Sequence, residues 1–232
     1  MIAVTFALPA ESSEFLRRLR DRTGAERNGV RIVRGTIDDR AVEVLHTGVG
    51  EKVCRQRVTK FLQDQQFDLL ISAGFAGALN DQLKVGDLLV AKNLSTVDLS
   101  STCASLSSMP IHTGDLLTVP ALIDSSEERN RIAQTSGAAA VDMETEFIAR
   151  TCAEHSIPLL SLRVISDALD EPFPAPTKVL FDIEQQRTRL LTFATFFLAN
   201  PNRVPRLVQF ARRIARARKI LASALVALIN KL

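Results

Sequence analysis

Tryptophan and tyrosine are absent from this chain of 232 residues, and histidine, cysteine and methionine occur only three times each. Any ring that stacks on a planar ligand must therefore come from Phe or His. Cys54, Cys103 and Cys152 have no metal-ligand spacing and cannot all pair with one another. That excludes a disulfide framework and a cysteine metal site, and it points to a reducing, cytoplasmic setting. No apolar run is long enough to span a bilayer. The opening segment, Met1 to Leu8, lacks the basic leader of a signal peptide and reads as a first strand. Acidic residues are missing from 185–232, where ten Lys or Arg stand, leaving 19 basic against 26 acidic residues elsewhere. The net charge of +3 hides this asymmetry. A terminal basic block of this kind suggests an anionic partner, a membrane surface or nucleic acid.

What is present is an ordinary soluble composition, 46% hydrophobic and 24% charged, in a chain long enough for one substantial core. Short apolar strands alternate with helical stretches. Strands are expected at Ile2 to Leu8, Val30 to Ile37, Ala41 to Thr47, Asp68 to Ala73, Asp87 to Leu94 and Pro158 to Ile165. Helices are expected at Ser12 to Arg22, Glu51 to Gln66, Ser126 to Ser136 and Glu144 to His155, with a Ser- and Thr-rich loop at Ser95 to Ser108. Asp115 to Ile123 is ambiguous. The alternation predicts a three-layer α/β/α domain over 1–184 with a central mixed sheet, followed by a basic amphipathic helical extension over 185–232.

Ligand sites in such sheets lie beyond the carboxyl ends of the strands. Four places qualify: Ala10-Glu11, Thr47-Gly48-Val49-Gly50, the segment Gly74-Phe75-Ala76-Gly77, and Ser166-Asp167. Two short acidic segments, Val141-Asp142-Met143-Glu144 and Arg163-Val164-Ile165-Ser166-Asp167, are separated by one helix and one strand. That spacing can bring Glu144 at a helix start near Asp167 at a strand end. Two carboxylates in different surroundings suit chemistry in which one group grips a sugar and the other hands over a proton. Helix capping and a turn aspartate explain the same residues without chemistry. Gly48-Val49-Gly50 does not complete a dinucleotide fingerprint, since Val53 holds the third glycine position, and no Gly-Lys-Ser/Thr follows Gly77 to make a phosphate loop.

Taken in order, Ala-Leu-Pro-Ala-Glu11, Thr-Gly-Val-Gly50, Ser-Ala-Gly-Phe-Ala-Gly-Ala-Leu79 with Leu-Lys-Val-Gly-Asp87, Val-Asp-Met-Glu-Thr145 and Arg-Val-Ile-Ser-Asp167 resemble the nucleoside phosphorylase and nucleosidase superfamily. The likeness is strongest to its methylthioadenosine/S-adenosylhomocysteine nucleosidase branch and covers roughly residues 1–168. The resemblance implies cleavage of the N-glycosidic bond of a purine nucleoside, with adenine the expected base. Asp167 matches the aspartate that protonates purine N7, with Ser166 beside it. Met143 and Glu144 match the residues that hold the ribose, and Glu11 matches the glutamate that activates water. Val49, Gly74, Phe75, Ala76 and Leu117 fall at expected substrate-contacting positions. Arg163 and Thr47 are expected in support, because a buried arginine needs an acidic partner. No metal or organic cofactor is implied, only water or inorganic phosphate as co-substrate.

Phosphorolysis and hydrolysis differ in the nucleophile. Phosphorylases of this superfamily carry an arginine two residues before Gly74, a place held here by Ser72, and the chain shows no arginine clamp for an anion. Hydrolysis is therefore the expectation. Leu117 stands where the nucleosidases place a stacking Phe, which leaves Phe75 as the candidate ring. After Asn200-Pro201 a helix from Arg206 gathers Leu207, Phe210, Ala211, Ile214, Leu221 and Leu225 on one side and Arg206, Arg212, Arg213 and Arg216 on the other. Such a helix fits an anionic membrane surface, or packing on its own domain or on a neighbouring subunit of a homo-oligomer. The tail is similar in character to that of hopanoid-associated phosphorylases, which remove adenine from the membrane lipid intermediate adenosylhopane. That resemblance implies a lipid-linked nucleoside reached at the inner membrane face. The alternatives are a soluble methylthioadenosine/S-adenosylhomocysteine nucleosidase, a phosphate-dependent phosphorylase, and a non-catalytic nucleoside- or nucleic-acid-binding protein. Specific nucleic-acid binding is not expected, because aromatics are not interleaved with the tail's arginines after Phe210.

Overall fold

A computed structural model describes residues 1–123, 125–168, 175, 179 and 190–232. The expected domain boundary at 184 lies outside the described residues. Strand β1 (Ile2–Phe6) is buried along its whole length and pairs in parallel with β4 (Arg40–His46) and β5 (Leu69–Ala78). β5 pairs in parallel with β10 (Leu159–Asp167), and β10 pairs antiparallel with β6 (Leu88–Ala91), which is followed by β7 (Ile111–Gly114). On the other side of the sheet β4 continues into β3 (Val30–Ile37) and β2 (Arg20–Arg27), both antiparallel. Short strands β8 (Leu116–Thr118) and β9 (Ala140–Asp142) pair with each other, and β9 pairs with the far end of β5.

Helices cover both faces. On one face α1 (Pro9–Leu16), α3 (Leu99–Ser105) and the long α7 (Val204–Lys231) pack over a core containing Val4, Phe6, Phe15, Ile71, Val90 and Leu162. On the other, α2 (Glu51–Leu62) packs on α5 (Thr145–Glu154) over Ala3, Leu45, Phe61, Leu70 and Leu159. Among the described residues, α4 (Ser126–Ser136) and α6 (Leu190–Ala199) are further helices. The three-layer expectation therefore holds.

Three local readings are corrected. The helix expected to reach Arg22 stops at Leu16, and Arg20–Arg27 forms the edge strand β2. Its side chains are mostly exposed, so no apolar alternation marks it; the Asn28-Gly29 turn does, with φ of 49° and 76° as a tight hairpin requires. The Ser- and Thr-rich segment is not wholly a loop, because Asp98 caps α3 by accepting from the N–H groups of Ser100 (3.0 Å) and Ser101 (3.2 Å). The Gly74 to Gly77 segment continues β5 instead of forming a loop, since its backbone keeps pairing with β10 and then with β9.

The C-terminal helix divides in two. Its second half buries Ala217, Leu221, Ala222, Leu225, Leu228 and Ile229 against α1, α3 and β10. Each such large aliphatic side chain contributes about 1.5–3 kcal/mol of burial. In its first half Val204 and Val208 are exposed, with Arg206, Arg212 and Arg216 facing solvent. No described helix is long and apolar enough to cross a membrane.

Candidate active site

The parallel strands β1, β4, β5 and β10 all end at one edge of the sheet, and the residues that follow them converge there. They line a cavity of about 370 Å³ that includes Glu11, Val49, Phe75, Ala76, Met143, Glu144, Ser166 and Asp167. The volume is that of a small-molecule site.

Glu11 lies in the first turn of α1, which opens with Pro9. Its Oε2 accepts from the backbone N–H groups of Ala7 (2.9 Å) and Leu8 (3.1 Å), the anion-binding arrangement of a helix start. Desolvation nevertheless raises its carboxyl above the ordinary value, opposed by the Leu8 N–H and by the Arg163 guanidinium. A carboxylate so perturbed is a better base near neutral pH.

Glu144 occupies the position before α5 but does not cap it. Its Oε1 turns away and accepts from the N–H of Gly50 at 3.0 Å, while the helix start is served by Asp142, which accepts from Thr145 N–H at 3.1 Å. Gly50 has a φ of 87°, a conformation that suits glycine and aims its N–H at the carboxyl. Burial, reinforced by Asp142, pushes the Glu144 carboxyl up to about 8.

Asp167 and Ser166 both face the cavity, although neighbouring residues on a strand normally point to opposite sides. A register shift between Ile165 and Asp167 in the β10–β5 ladder accounts for this, since a bulge re-aims side chains. Ser166 Oγ donates to Asp167 Oδ1 at 2.6 Å, and Arg129 Nη2 donates to Asp167 Oδ2. Opposite them Gly77 is required by close approach, because a Cβ there would lie 2.9 Å from Asp167 Oδ2.

Arg163 does find its acid, and that acid is Asp142: Nε and Nη2 reach Asp142 Oδ2 at 3.2 and 3.0 Å. Nη1 donates to Ser72 O at 2.7 Å and Nη2 to Ser72 Oγ at 2.9 Å, with Thr145 Oγ1 also accepting. Thr118 Oγ1 completes the network on Asp142 Oδ1 at 2.8 Å. A fully buried ion pair is tolerated only when its remaining hydrogen-bonding capacity is met in this way. Thr47 is buried, its hydroxyl donating to Gly48 O at 3.0 Å.

Gly74, Thr47 and Arg163 line a smaller chamber of about 10 Å³, shared with Thr5, Ser72, Glu11 and Glu144. Leu117 is placed elsewhere. It packs against Leu79, Ile123 and Val141 and does not line the cavity, so the expected base contact there is corrected: Leu117 stands on β8 within an apolar cluster. The cavity wall uses Val119, Leu122, Ile123, Phe210 and Ile214 as well. Arg129 was not anticipated. Its signal lay in its helical spacing with Ile132 and Ala133, which puts it on the inner face of α4. Its Nε and Nη2 hold the Ile123 carbonyl at 3.2 and 3.1 Å, tying the cavity wall to Asp167. Among the described residues no group of three or more His, Cys, Asp or Glu is placed to hold a metal ion.

A mixed-sheet α/β/α fold with three carboxylates gathered beyond its strand ends places the chain in a definite class: it belongs to the phosphorylase superfamily, whose family model matches residues 1–105 and 97–199. It is similar to a 5′-methylthioadenosine/S-adenosylhomocysteine nucleosidase of Staphylococcus aureus, 26% identical over 196 residues covering 72% of this chain and 86% of that one. Its fold is that of a putative nucleosidase of the same kind from Borrelia burgdorferi bound to adenine, with a TM-score of 0.76 at 20% identity over 100% of both chains. Native futalosine hydrolase of Helicobacter pylori has a TM-score of 0.73 at 18% identity, over 100% of this chain and 97% of that one.

Proposed function

We propose that this enzyme hydrolyses the N-glycosidic bond of a purine nucleoside. The observation that carries the reading is the convergence of Glu11, Glu144 and Asp167 on one largely apolar cavity. Glu144, with its carboxyl pushed up to about 8, can both accept from and donate to ribose hydroxyls near neutral pH. Asp167, oriented by Ser166 and Arg129, passes a solvent-derived proton to the base as the bond to the anomeric carbon breaks and its electron pair leaves with the base. Water bonds to the anomeric carbon and loses a proton to Glu11. Free base and free sugar result, and exchange with solvent resets both carboxyls.

Water is favoured by the small chamber beside Glu11 and Glu144, whose volume of about 10 Å³ is that of one water molecule. The guanidinium of Arg163, beside Ser72, is already committed to Asp142. The test is to supply adenosine, methylthioadenosine and inosine with and without phosphate and to identify the sugar product. Free sugar with no phosphate dependence is expected, with Glu11→Gln and Asp167→Asn each lowering the rate by about 10²–10⁴-fold. Ribose 1-phosphate as the product refutes hydrolysis.

The wall contributed by α7 favours a finer reading, an adenine nucleoside bearing a large apolar or lipid group on its 5′ carbon. Phe210 and Ile214 line the cavity, Leu122 at its wall is 40% exposed, and Leu198 on α6 is 81% exposed. With Arg206, Arg212 and Arg216 outward, the first half of α7 fits an anionic membrane from which such a substrate would be drawn. A higher kcat/KM for an alkyl-extended adenosine than for methylthioadenosine, and sedimentation with anionic vesicles, are the expected results. Equal rates and no vesicle binding sink it.

A further inference from the structure

We propose that Thr5 is a positioning residue for the attacking water, acting through its side-chain hydroxyl; the proposal rests on the hydrolytic reading above. Thr5 is fully buried on β1, and its Oγ1 has no hydrogen-bond partner among the described residues. The other hydroxyls lining the small chamber are engaged, Thr47 on Phe6 O and Gly48 O and Ser72 with Arg163. An unsatisfied hydroxyl in a buried parallel strand is destabilising, and valine would give the same shape without it. The presence of Thr at this point calls for a partner that is not a protein atom.

The place for that partner is the small chamber. Thr5 lines it together with Glu11, Ser72, Glu144 and Arg163, and its volume of about 10 Å³ is that of one water molecule. β1 and β5 run parallel with Thr5 beside Ser72, so the two hydroxyls stand on the same face of the sheet. Ser72 Oγ accepts from Arg163 Nη2 at 2.9 Å, which leaves its own proton to donate. A water bonded to Thr5 and Ser72 on the sheet side, and to the Glu11 carboxylate, has the two to four polar partners that an internal water requires. Anchored there, it loses its rotational freedom before the sugar arrives and is presented to Glu11 in one orientation, which lowers the entropic part of the barrier. Glu144 borders both the chamber and the larger cavity, so the water stands next to the bound ribose.

Replacement of Thr5 separates this role from a structural one. Thr5→Val removes the hydroxyl at constant shape and is expected to lower kcat about tenfold, the loss of one well-placed hydrogen bond in the transition state. KM, and calorimetric binding of free adenine, should stay within about twofold, because the hydroxyl does not face the base. Thr5→Ser, which keeps the hydroxyl, should retain kcat within about threefold. The melting temperature of Thr5→Val should stay close to that of the wild type, since the water-mediated bond that is lost is offset by no longer burying a polar atom. Wild-type turnover in Thr5→Val overturns the proposal, as does a rate loss accompanied by weaker adenine binding or one that Thr5→Ser does not restore. A wild-type enzyme that releases no base from any purine nucleoside sinks the hydrolytic reading instead, and the role of Thr5 with it.

Discussion

Glu144→Gln should make the protein more stable while removing the carboxyl group proposed to grip the ribose. The Glu144 carboxyl is buried, and burial raises it from 4.5 to about 8. Between those values the folded chain binds one proton more than the unfolded chain, so this group's contribution is fully present below the unfolded value and is lost as pH rises to the folded one. The loss is about 1.4 kcal/mol per pH unit, or about 5 kcal/mol over the whole interval. Relaxation around the ionised group reduces this, and about 2–5 kcal/mol is the expected range. Glutamine keeps the shape and retains an oxygen to accept from Gly50 N–H, but it does not titrate. Urea denaturation of the two ligand-free proteins should therefore show equal stability near pH 4.5 and a gap that widens up to about pH 8, with the variant ahead. A gap independent of pH, or a variant that is weaker at high pH, refutes the reasoning. It would mean that the carboxyl is solvated or that its bond to Gly50 is worth more than its burial costs.

Two further outcomes follow from the packing. Gly77→Ala places a Cβ 2.9 Å from Asp167 Oδ2, so steady-state kinetics should show a lowered kcat with little change in global stability; a wild-type kcat would mean that the bulge at Ser166 gives way freely. Leu221→Ala, in the buried half of α7, should cost about 2–5 kcal/mol in denaturant unfolding. A loss below about 0.5 kcal/mol, the value of an ordinary surface change, would detach that helix from the core.

Much of the site was legible because its residues sit at strand ends, where local sequence carries the signal. An apolar run followed by Glu11, by Thr47-Gly48-Val49, or by Ser166-Asp167 marks a strand leaving the core, and in a mostly parallel sheet such ends share one edge. The central strands were equally plain, since burial on both faces leaves an unbroken apolar stretch such as Ile2 to Phe6. What failed was of another kind. β2 is held by its ladder to β3 and not by its own polar side chains, and the glycines of 74–77 are extended only because β9 and β10 pair with them.

Sequence alone was enough for the three-layer class, because that depends on residue type and short spacing, and it pointed to Glu11, Glu144 and Asp167 through their places at strand and helix ends and the resemblance of the motifs around them. Only the tertiary structure decided that Arg163 answers Asp142, that Arg129 holds Asp167, that Leu117 turns into the core, and that α7 buries one half while walling the cavity with the other. Those pairings join residues tens of positions apart, and hydrogen bonds and desolvation act over a few ångströms of space whatever the distance along the chain.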